Sequence, residues 1–466
     1  MSNFSHEPPK LAESLSNRQI TMITIGGMIG AGLFIGSASA IQTTGPAILI
    51  SYALTGLLVF FVMRMLGEMA IIQPDSGSFS TYAGSAIGPW AGFTIGWLYW
   101  WFWVLIIPVE AIAGADILHQ YIPGVPSWIF AIAIMLFLTI SNLLNVKNFG
   151  EFEYWFALIK VVAIIAFIII GLIAVFGYWP LAEVSGVAKL YENGGFMPHG
   201  FGSVLAGILV TIFSFFGAEV VSIAAAESKN PQEKIRKATN LVIYRIALFY
   251  LVSIFLVVSL VDWNAPGLKE MGTFQYVLHQ LNVPGTRVII DFVVFIAVCS
   301  CMNTGIYIAS RMLFSLGTRQ DAPVAMTKVS PGGVPKVAVI ASSIAGFAGC
   351  FANYAFPGKV FGFLLSTTGA IALIVYLVIA ISQLKMRRQM EKHNVELQFK
   401  MWLFPWLTWV VIIAISTVLG YMFISPDYRY ETFLSLGVTG VIFIFSLYVT
   451  KNRVVNKPWL NNQSQK

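Results

Sequence analysis

Three ionisable side chains sit where the sequence is otherwise built for hydrocarbon. Glu110 follows the charge-free stretch 91–109, Lys160 precedes another that reaches residue 182, and seven uncharged residues follow Glu219. A charge at the centre of a bilayer costs at least about 2.5–3.5 kcal/mol. A group kept there is expected to bind a proton or to answer an opposite charge. Lys160 is deep enough to strain a snorkelling lysine. Glu219 suits a proton carrier, or else is a buried carboxylate bonded to nearby backbone and hydroxyls. Glu110, just after Pro108, either meets a cationic group or bonds across helices. Other ionisable groups read as structural. Arg64 and Glu68 have the i,i+4 spacing of an ion pair, Arg245 is close enough to a helix end to snorkel, and Asp116 and Asp291 lie near helix ends.

The backbone offers chemistry of its own. Five of the eleven residues in GGMIGAGLFIG (26–36) are glycine, each costing a helix about 1 kcal/mol relative to alanine. Gly26 with Gly30, and Gly32 with Gly36, have the spacing of close helix contacts. Packing alone does not require the run Gly30-Ala31-Gly32, which clears side chains from successive amides and leaves donors for an anion. A second interruption, FSFFGAE (213–219), contains Phe213, Phe215, Phe216 and Gly217. The aromatic run WLYWWFWV (97–104) suits a lipid interface and packing. Its helical spacing also turns one edge inward, making Trp101 and Phe102 pocket candidates. Cys301, Asn303 and Tyr307 share a helix face, where Asn303 either meets an amine or packs between helices. A dinucleotide-binding reading fails, because GAGLFIG is one residue too long for G-x-G-x-x-G and no strand precedes it.

The elements that must hold these groups are membrane helices. The chain is 57% hydrophobic and 11% charged, with mean hydropathy +0.78, against about 25% charged in soluble domains. Residues 41–63, 91–109 and 161–182 carry no charge, and about 20 apolar residues span a bilayer as a helix. Division at charge, proline and glycine clusters predicts twelve segments: 18–39, 46–72, 89–118, 127–146, 154–176, 202–226, 239–261, 285–310, 336–355, 358–381, 402–424 and 431–450. Arg18, the run after it and ASA at 38–40 imitate a signal peptide, but the glycines favour a retained first helix. Of 28 Lys and Arg, 21 fall on the side that holds both termini, 5 on the other, and 2 within helices. Positive charge marks the cytoplasmic side, so residues 1–17 and 451–466 are expected as short cytoplasmic tails. The basic balance signals orientation and anionic lipid, not nucleic acid.

The two interrupted segments are the first and the sixth. An offset of five reverses direction in the membrane, so the pattern predicts an inverted repeat: residues 18–176, then 202–381, with two further helices at 402–450. Discontinuous helices at such a repeat interface turn half-helix ends and freed carbonyls toward a substrate.

These stretches also carry a family resemblance. GGMIGAGLFIGSASA, the run from Gly45-Pro46 through Gly67-Glu68 to Pro74, FSFFGAE and AAESKNPQEKIRKA resemble the amino acid–polyamine–organocation superfamily. GSFSTYAGSAIGPWAGFTIGWLYWWFWVLIIPVEA (77–111), EFEYWFALIK, GGFMPHGFG and MWLFPWLTW look like the γ-aminobutyrate permeases among its bacterial members. The resemblance runs nearly end to end. It implies an all-α integral membrane protein of the leucine-transporter type, with twelve transmembrane helices and broken helices 1 and 6. It also implies proton-coupled import of an amino acid across the inner membrane. Gly30, Ala31 and Gly32 would hold the substrate carboxylate; Phe213, Phe215, Phe216 and Gly217 would hold the amine and form a gate. Lys160 would reach the unwound part of helix 1, where sodium-coupled relatives hold an ion, which favours proton coupling; Glu219, by its own position after the helix 6 break, is the other coupling candidate. Many relatives have serine at the position of Gly32, so an amide must serve in its place.

Rival functions lack their signatures. An ATP-driven pump needs G-x-x-x-x-G-K-[ST], which the sequence lacks, and the five histidines lie in tails, loops or helix ends, apart from any catalytic or metal cluster. A transporter-like sensor would need an added soluble domain of at least about 50 residues. Expected partners are therefore an amino acid (γ-aminobutyrate foremost; lysine, proline, aromatic or neutral amino acids and exchange being the alternatives), protons and membrane lipids. No cofactor, metal or nucleic acid is expected.

Overall fold

The computed structural model describes residues 16–30, 32–182, 184–226, 230–356 and 360–455, and all regular structure among them is helical. Helix α1 (Asn17–Met28) opens on a capping box between Ser16 and Gln19. It stops at Met28, where the glycine-rich stretch begins to unwind. A π-helical turn at Gly32–Gly36 restarts the chain into α2 (Ser37–Thr44), and a tight turn at Gly45–Ala47 passes it to α3 (Ile48–Ile72). Then come α4 (Ser78–Ala86), α5 (Pro89–Tyr121), α6 (Ser127–Leu144) and α7 (Val146–Val175). The second broken segment consists of α8 (Gly200–Phe215) and α9 (Val220–Ala226). Helices α10 (Pro231–Arg245) and α11 (Ser253–Leu260) are joined by a π-helical stretch, Ile246–Val252. The short α12 (Gly267–Met271) and α13 (Thr273–Gln280) precede α14 (Thr286–Thr318), α15 (Lys336–Ala355), α16 (Val360–Lys392), α17 (Trp406–Ile424) and α18 (Pro426–Val449).

Among the described residues, eleven helices are long and apolar enough to cross a membrane. Residues Gly32–Ile72 read as a single span by length, because the turn between α2 and α3 barely interrupts the helix; α1 is too short to be counted. Each predicted apolar segment overlaps helix among the described residues, interrupted within 18–39 and within 202–226. Boundaries differ where polar residues start or prolong a helix. Asn145 accepts from the Asn148 amide and starts α7 at Val146 rather than 154, and α16 continues through a basic stretch to Lys392.

Helices α5 and α14 pack together through the centre, with α1, α7, α15 and α16 against one or both. Pro108 interrupts the hydrogen-bond ladder of α5 and lies against Gly349 of α15, where a Cβ would meet its ring at 2.5 Å. Helices α17 and α18 lie outside and expose Trp406, Val410, Ile413, Val441, Ile444 and Tyr448. An apolar face of this extent needs lipid as its neighbour. The two ends of the bundle are marked by polar seams. On the face of the termini, Arg18 pairs with Glu151 at 2.7 Å, and Arg453 pairs with Asp321. On the opposite face, Asn193 donates to Asp262 at 2.8 Å and Arg287 to Gln120 at 3.2 Å.

One expected ion pair is replaced. Glu68 does not pair with Arg64. It faces α16, accepting from Gln383 Nε2 at 3.0 Å, Arg387 Nη1 at 3.2 Å and the Met401 amide. Arg64 turns away, donates to the Lys400 carbonyl and lies over the rings of Phe399 and Trp402 at 4.4 and 4.1 Å. Long-range partners outcompete the i,i+4 neighbour because residues 399–402 fold back over α3. Arg245 does not snorkel either; it is buried at the junction of α10 with the π-helical stretch. Glu68→Ala would leave the buried Gln383 amide and the Met401 N–H without this acceptor, about 1–3 kcal/mol for each stranded group, while Arg387 keeps Glu391 at 2.8 Å. Arg64→Ala would forfeit about 0.5–1 kcal/mol of cation–π contact. Thermal unfolding of the purified variants should show the Glu68 variant far less stable; equal losses would return Arg64 to the role of its partner.

Candidate functional site

The two broken segments meet. Gly217, between α8 and α9, has φ +109°, and a Cβ there would run into the Gly27 carbonyl oxygen. Only glycine allows both the backbone angle and this approach. Chain unwound at membrane depth must find partners within the protein, and it does so at each break. At the first, Lys160 Nζ donates to the Ile29 carbonyl at 2.9 Å. The Tyr250 hydroxyl bridges the breaks, 2.9 Å from the Met28 carbonyl and 2.8 Å from that of Ser214. At the second, the Glu219 carboxylate accepts from the Gly217 amide at 3.0 Å, from Tyr99 at 2.9 Å and from Tyr376 at 3.3 Å. The carbonyls of Phe213, Phe215 and Gly217 accept from the amides of Phe216, Ala218 and Val220. Among the described residues, no donor reaches the Phe216 carbonyl.

Between the breaks lies a cavity of about 20 Å³ lined by Gly30, Gly32, Phe213, Phe216, Phe102 and Glu110, together with Gly27, Met28, Trp103, Ile106 and Cys301. Where glycine lines a wall, the backbone itself is presented. A Cβ on Gly30 would lie 2.8 Å from Glu110 Oε1, and one on Gly32 would lie 3.0 Å from the Phe213 ring. Phe102 and Phe216 close the space, their rings 4.1 Å apart. The volume suits about one water molecule. On the face opposite the termini, a hollow of about 580 Å³ descends along α5 and α14 to Ala113 and Val294. Phe34 and Phe274, 5.1 Å apart, stand on its wall.

Of the residues singled out in the sequence, Gly30, Gly32, Phe102, Glu110, Phe213 and Phe216 line this cavity. Ala31 lies outside the described residues. Gly217 forms the contact behind the wall, and Lys160 and Glu219 stand behind the two breaks. Three aromatic candidates sit elsewhere. Trp101 is half-buried and points away from the cavity, Phe215 packs on Tyr52 and Tyr250, and Tyr307 stacks on Phe149 at 4.2 Å with Arg311 over its ring. Asn303 donates to Glu153 at 2.8 Å and accepts from Asn142. Sequence reasoning missed Trp103, Tyr250 and Glu153. Glu153 fell just outside the predicted segment 154–176, although it precedes Lys160 by nearly two helical turns.

The Amino acid permease family matches residues 19–460. The chain belongs to that family. Among relatives of this permease, the gamma-aminobutyric acid permease of Escherichia coli (strain K12) is 54% identical over 437 residues, 94% of each chain. That of Bacillus subtilis (strain 168) is 50% identical over 456 residues, covering 98% of this chain and 97% of the relative. An aromatic amino acid transport protein of Corynebacterium glutamicum is 38% identical over 445 residues, 95% of this chain and 96% of the relative.

The contact between the breaks makes a sharp expectation. Gly217→Ala forces a left-handed backbone costing about 1–2 kcal/mol and pushes a methyl group into the Gly27 carbonyl. Gly124→Ala, with nothing within 4 Å of its added Cβ, is the control. The first variant should lose several degrees of thermal stability and the second almost none; a Gly217→Ala protein as stable as wild type would mean that the breaks are not in contact.

Proposed function

We propose that this permease is a secondary active transporter that imports γ-aminobutyrate, or a closely related amino acid, with protons across the bacterial cytoplasmic membrane by alternating access. The observation that carries this reading is the pair of facing backbone breaks, which enclose a cavity with glycine backbone on one side and Phe216 and Glu110 on the others. A zwitterion fits such a wall. Its carboxylate meets the amides of Gly30, Ala31 and Gly32, and its ammonium meets the Phe216 carbonyl and Glu110, with Phe213, Phe215 and Gly217 shaping the gate. The substrate is favoured by the step in identity between the relatives named for γ-aminobutyrate, at 54% and 50%, and the aromatic transporter at 38%.

In this reading residues 18–450 form twelve crossings: an inverted repeat of five and five, then two more, with both termini cytoplasmic. The 580 Å³ hollow is then the entry from outside. Phe102 and Phe216 must separate for a substrate to enter. Lys160 and Glu219 couple transport to protons, because each holds one break and each can change its charge. Loss of a proton from Lys160 weakens its hold on Ile29; gain of one by Glu219 removes an acceptor from Gly217, Tyr99 or Tyr376.

Radiolabelled γ-aminobutyrate uptake into proteoliposomes, with and without an inward proton gradient, tests the substrate and the coupling together. Saturable uptake that the gradient drives and α-amino acids compete poorly is expected. Preference for lysine, proline or an aromatic amino acid would overturn the substrate while leaving a permease. Gly32→Val should abolish binding in a protein that still reaches the membrane. Wild-type affinity in that variant would remove the amides of the first break from the site.

Lys160→Met should collapse uptake even at saturating substrate. Glu219→Gln, fixed neutral, should retain counterflow and lose accumulation. Accumulation at the wild-type level in Glu219→Gln would remove that residue from coupling.

A further inference from the structure

Glu153 is buried on α7, seven residues before Lys160 and on the same side of the helix. Both side chains reach α14, where the Ser300 hydroxyl joins them. Lys160 Nζ donates to Ser300 Oγ at 2.9 Å, and Ser300 donates to Glu153 Oε2 at 2.8 Å. The other carboxylate oxygen accepts from Asn303 at 2.8 Å, and Asn303 is itself held by Asn142 of α6 at 2.7 Å. At its far end the chain reaches the broken segment through the bond from Lys160 to the Ile29 carbonyl. The other titratable groups near Lys160 are Glu110 of α5, on the cavity side, and Cys299 and Cys301 of α14. A continuous line of hydrogen bonds therefore runs from the unwound backbone to a second ionisable group that the binding site does not use.

We propose that Glu153 is the proton-exchange partner of Lys160, with Ser300 as the relay between them. The proposal rests on the reading of Lys160 as a coupling residue. In the transfer, one N–H bond of the ammonium breaks and its proton joins Ser300 Oγ. The proton already on Ser300 passes to Glu153 Oε2. Lysine is left a neutral amine, glutamate a neutral carboxylic acid, and serine a hydroxyl as before. No other reactant is needed. Two opposite charges held apart in a low-dielectric interior disappear together. The bond to Ile29 loses its charge assistance, which roughly doubles the strength of such contacts. Proton position and the hold on the first break thus change in one event. Glu153 lies nearly two turns from Val146, where α7 starts on the face of the termini, and only two residues from Glu151, which pairs with Arg18 there. The relay therefore moves a proton in two short steps, of 2.9 and 2.8 Å, from behind the first break toward that face.

The test separates proton movement from substrate movement in full-length protein reconstituted into vesicles. Counterflow of labelled γ-aminobutyrate needs no net proton transfer, whereas substrate-driven proton entry, read by an interior pH dye, does. Glu153→Gln and Ser300→Ala should each keep counterflow within about threefold of wild type and lose about tenfold or more of proton entry. Ser300→Thr, which keeps a hydroxyl in the relay, should restore it. Equal fractional loss of counterflow and proton entry in both variants would mark a merely structural network and overturn the proposal. So would proton entry at the wild-type level in either variant, or lost in Lys160→Met but kept in both. A wild-type protein that moves γ-aminobutyrate without proton entry overturns the Lys160 reading and this proposal together.

Discussion

The structure depends on one constraint: helix that is unwound inside a membrane leaves backbone groups with no water to satisfy them, at a cost of several kcal/mol each. This chain unwinds twice at nearly one point and satisfies the exposed groups with side chains. Tyr250 ties the Met28 and Ser214 carbonyls together, Lys160 takes the Ile29 carbonyl, and Glu219 takes the Gly217 amide. The glycines that permit unwinding also permit contact, since a side chain at Gly217 would run into the Gly27 carbonyl. The cost of the breaks is offset only while these partners stay in place. A buried tyrosine, lysine and glutamate are therefore as necessary to the site as the residues that line it.

The packing around the breaks follows from the same requirement. Glu219 braces its own broken segment, and other partners come from unbroken helices. Lys160 stands on α7, Tyr99 on α5 and Tyr376 on α16. Tyr250 stands on the π-helical stretch between α10 and α11, where the helix is widened rather than unwound. A π-bulge inside an α-helix often marks a functional site, and this one turns the hydroxyl onto two carbonyls at once. The outer helices α17 and α18 contribute none of these contacts and show lipid an apolar surface.

Much of this was legible in the sequence because hydrophobic runs, charge gaps and glycine clusters report local events. The helices, the two breaks and the depth of Lys160 and Glu219 all follow from residues that act on their own stretch of chain. Pairings between distant segments were not legible. Arg64 and Glu68 have the spacing of an ion pair, yet Glu68 is taken by Arg387 and Met401, more than 300 residues away. Trp101 and Phe102 are adjacent, and only the packing of α5 against α14 and of Phe102 on Phe216 decides that Phe102 faces the cavity. Tyr307 and Asn303 share a helix face with Cys301, but Cys301 alone reaches the cavity, because Phe149, Glu153 and Asn142 claim the other two. Glu153 was hidden by a boundary: apolarity begins after it, whereas the helix begins at Val146 under the Asn145 cap.

The two breaks are answered with opposite chemistry. A cationic group holds a carbonyl at the first, and an anionic group holds an amide at the second. The cavity in front of them is lined by Gly30 and Gly32 on one side and by Phe216 and Glu110 on the other. In the proposed reading, a molecule carrying one positive and one negative end bridges the breaks from the front as Lys160 and Glu219 brace them from behind. Ligand and side chains would then act on the same few backbone units. A change in the charge of either bracing residue would alter how firmly its break is held and, through it, how the front of the site meets its ligand. Coupling of this kind needs no long pathway through the protein, only two braces whose charge can change beside two breaks that touch.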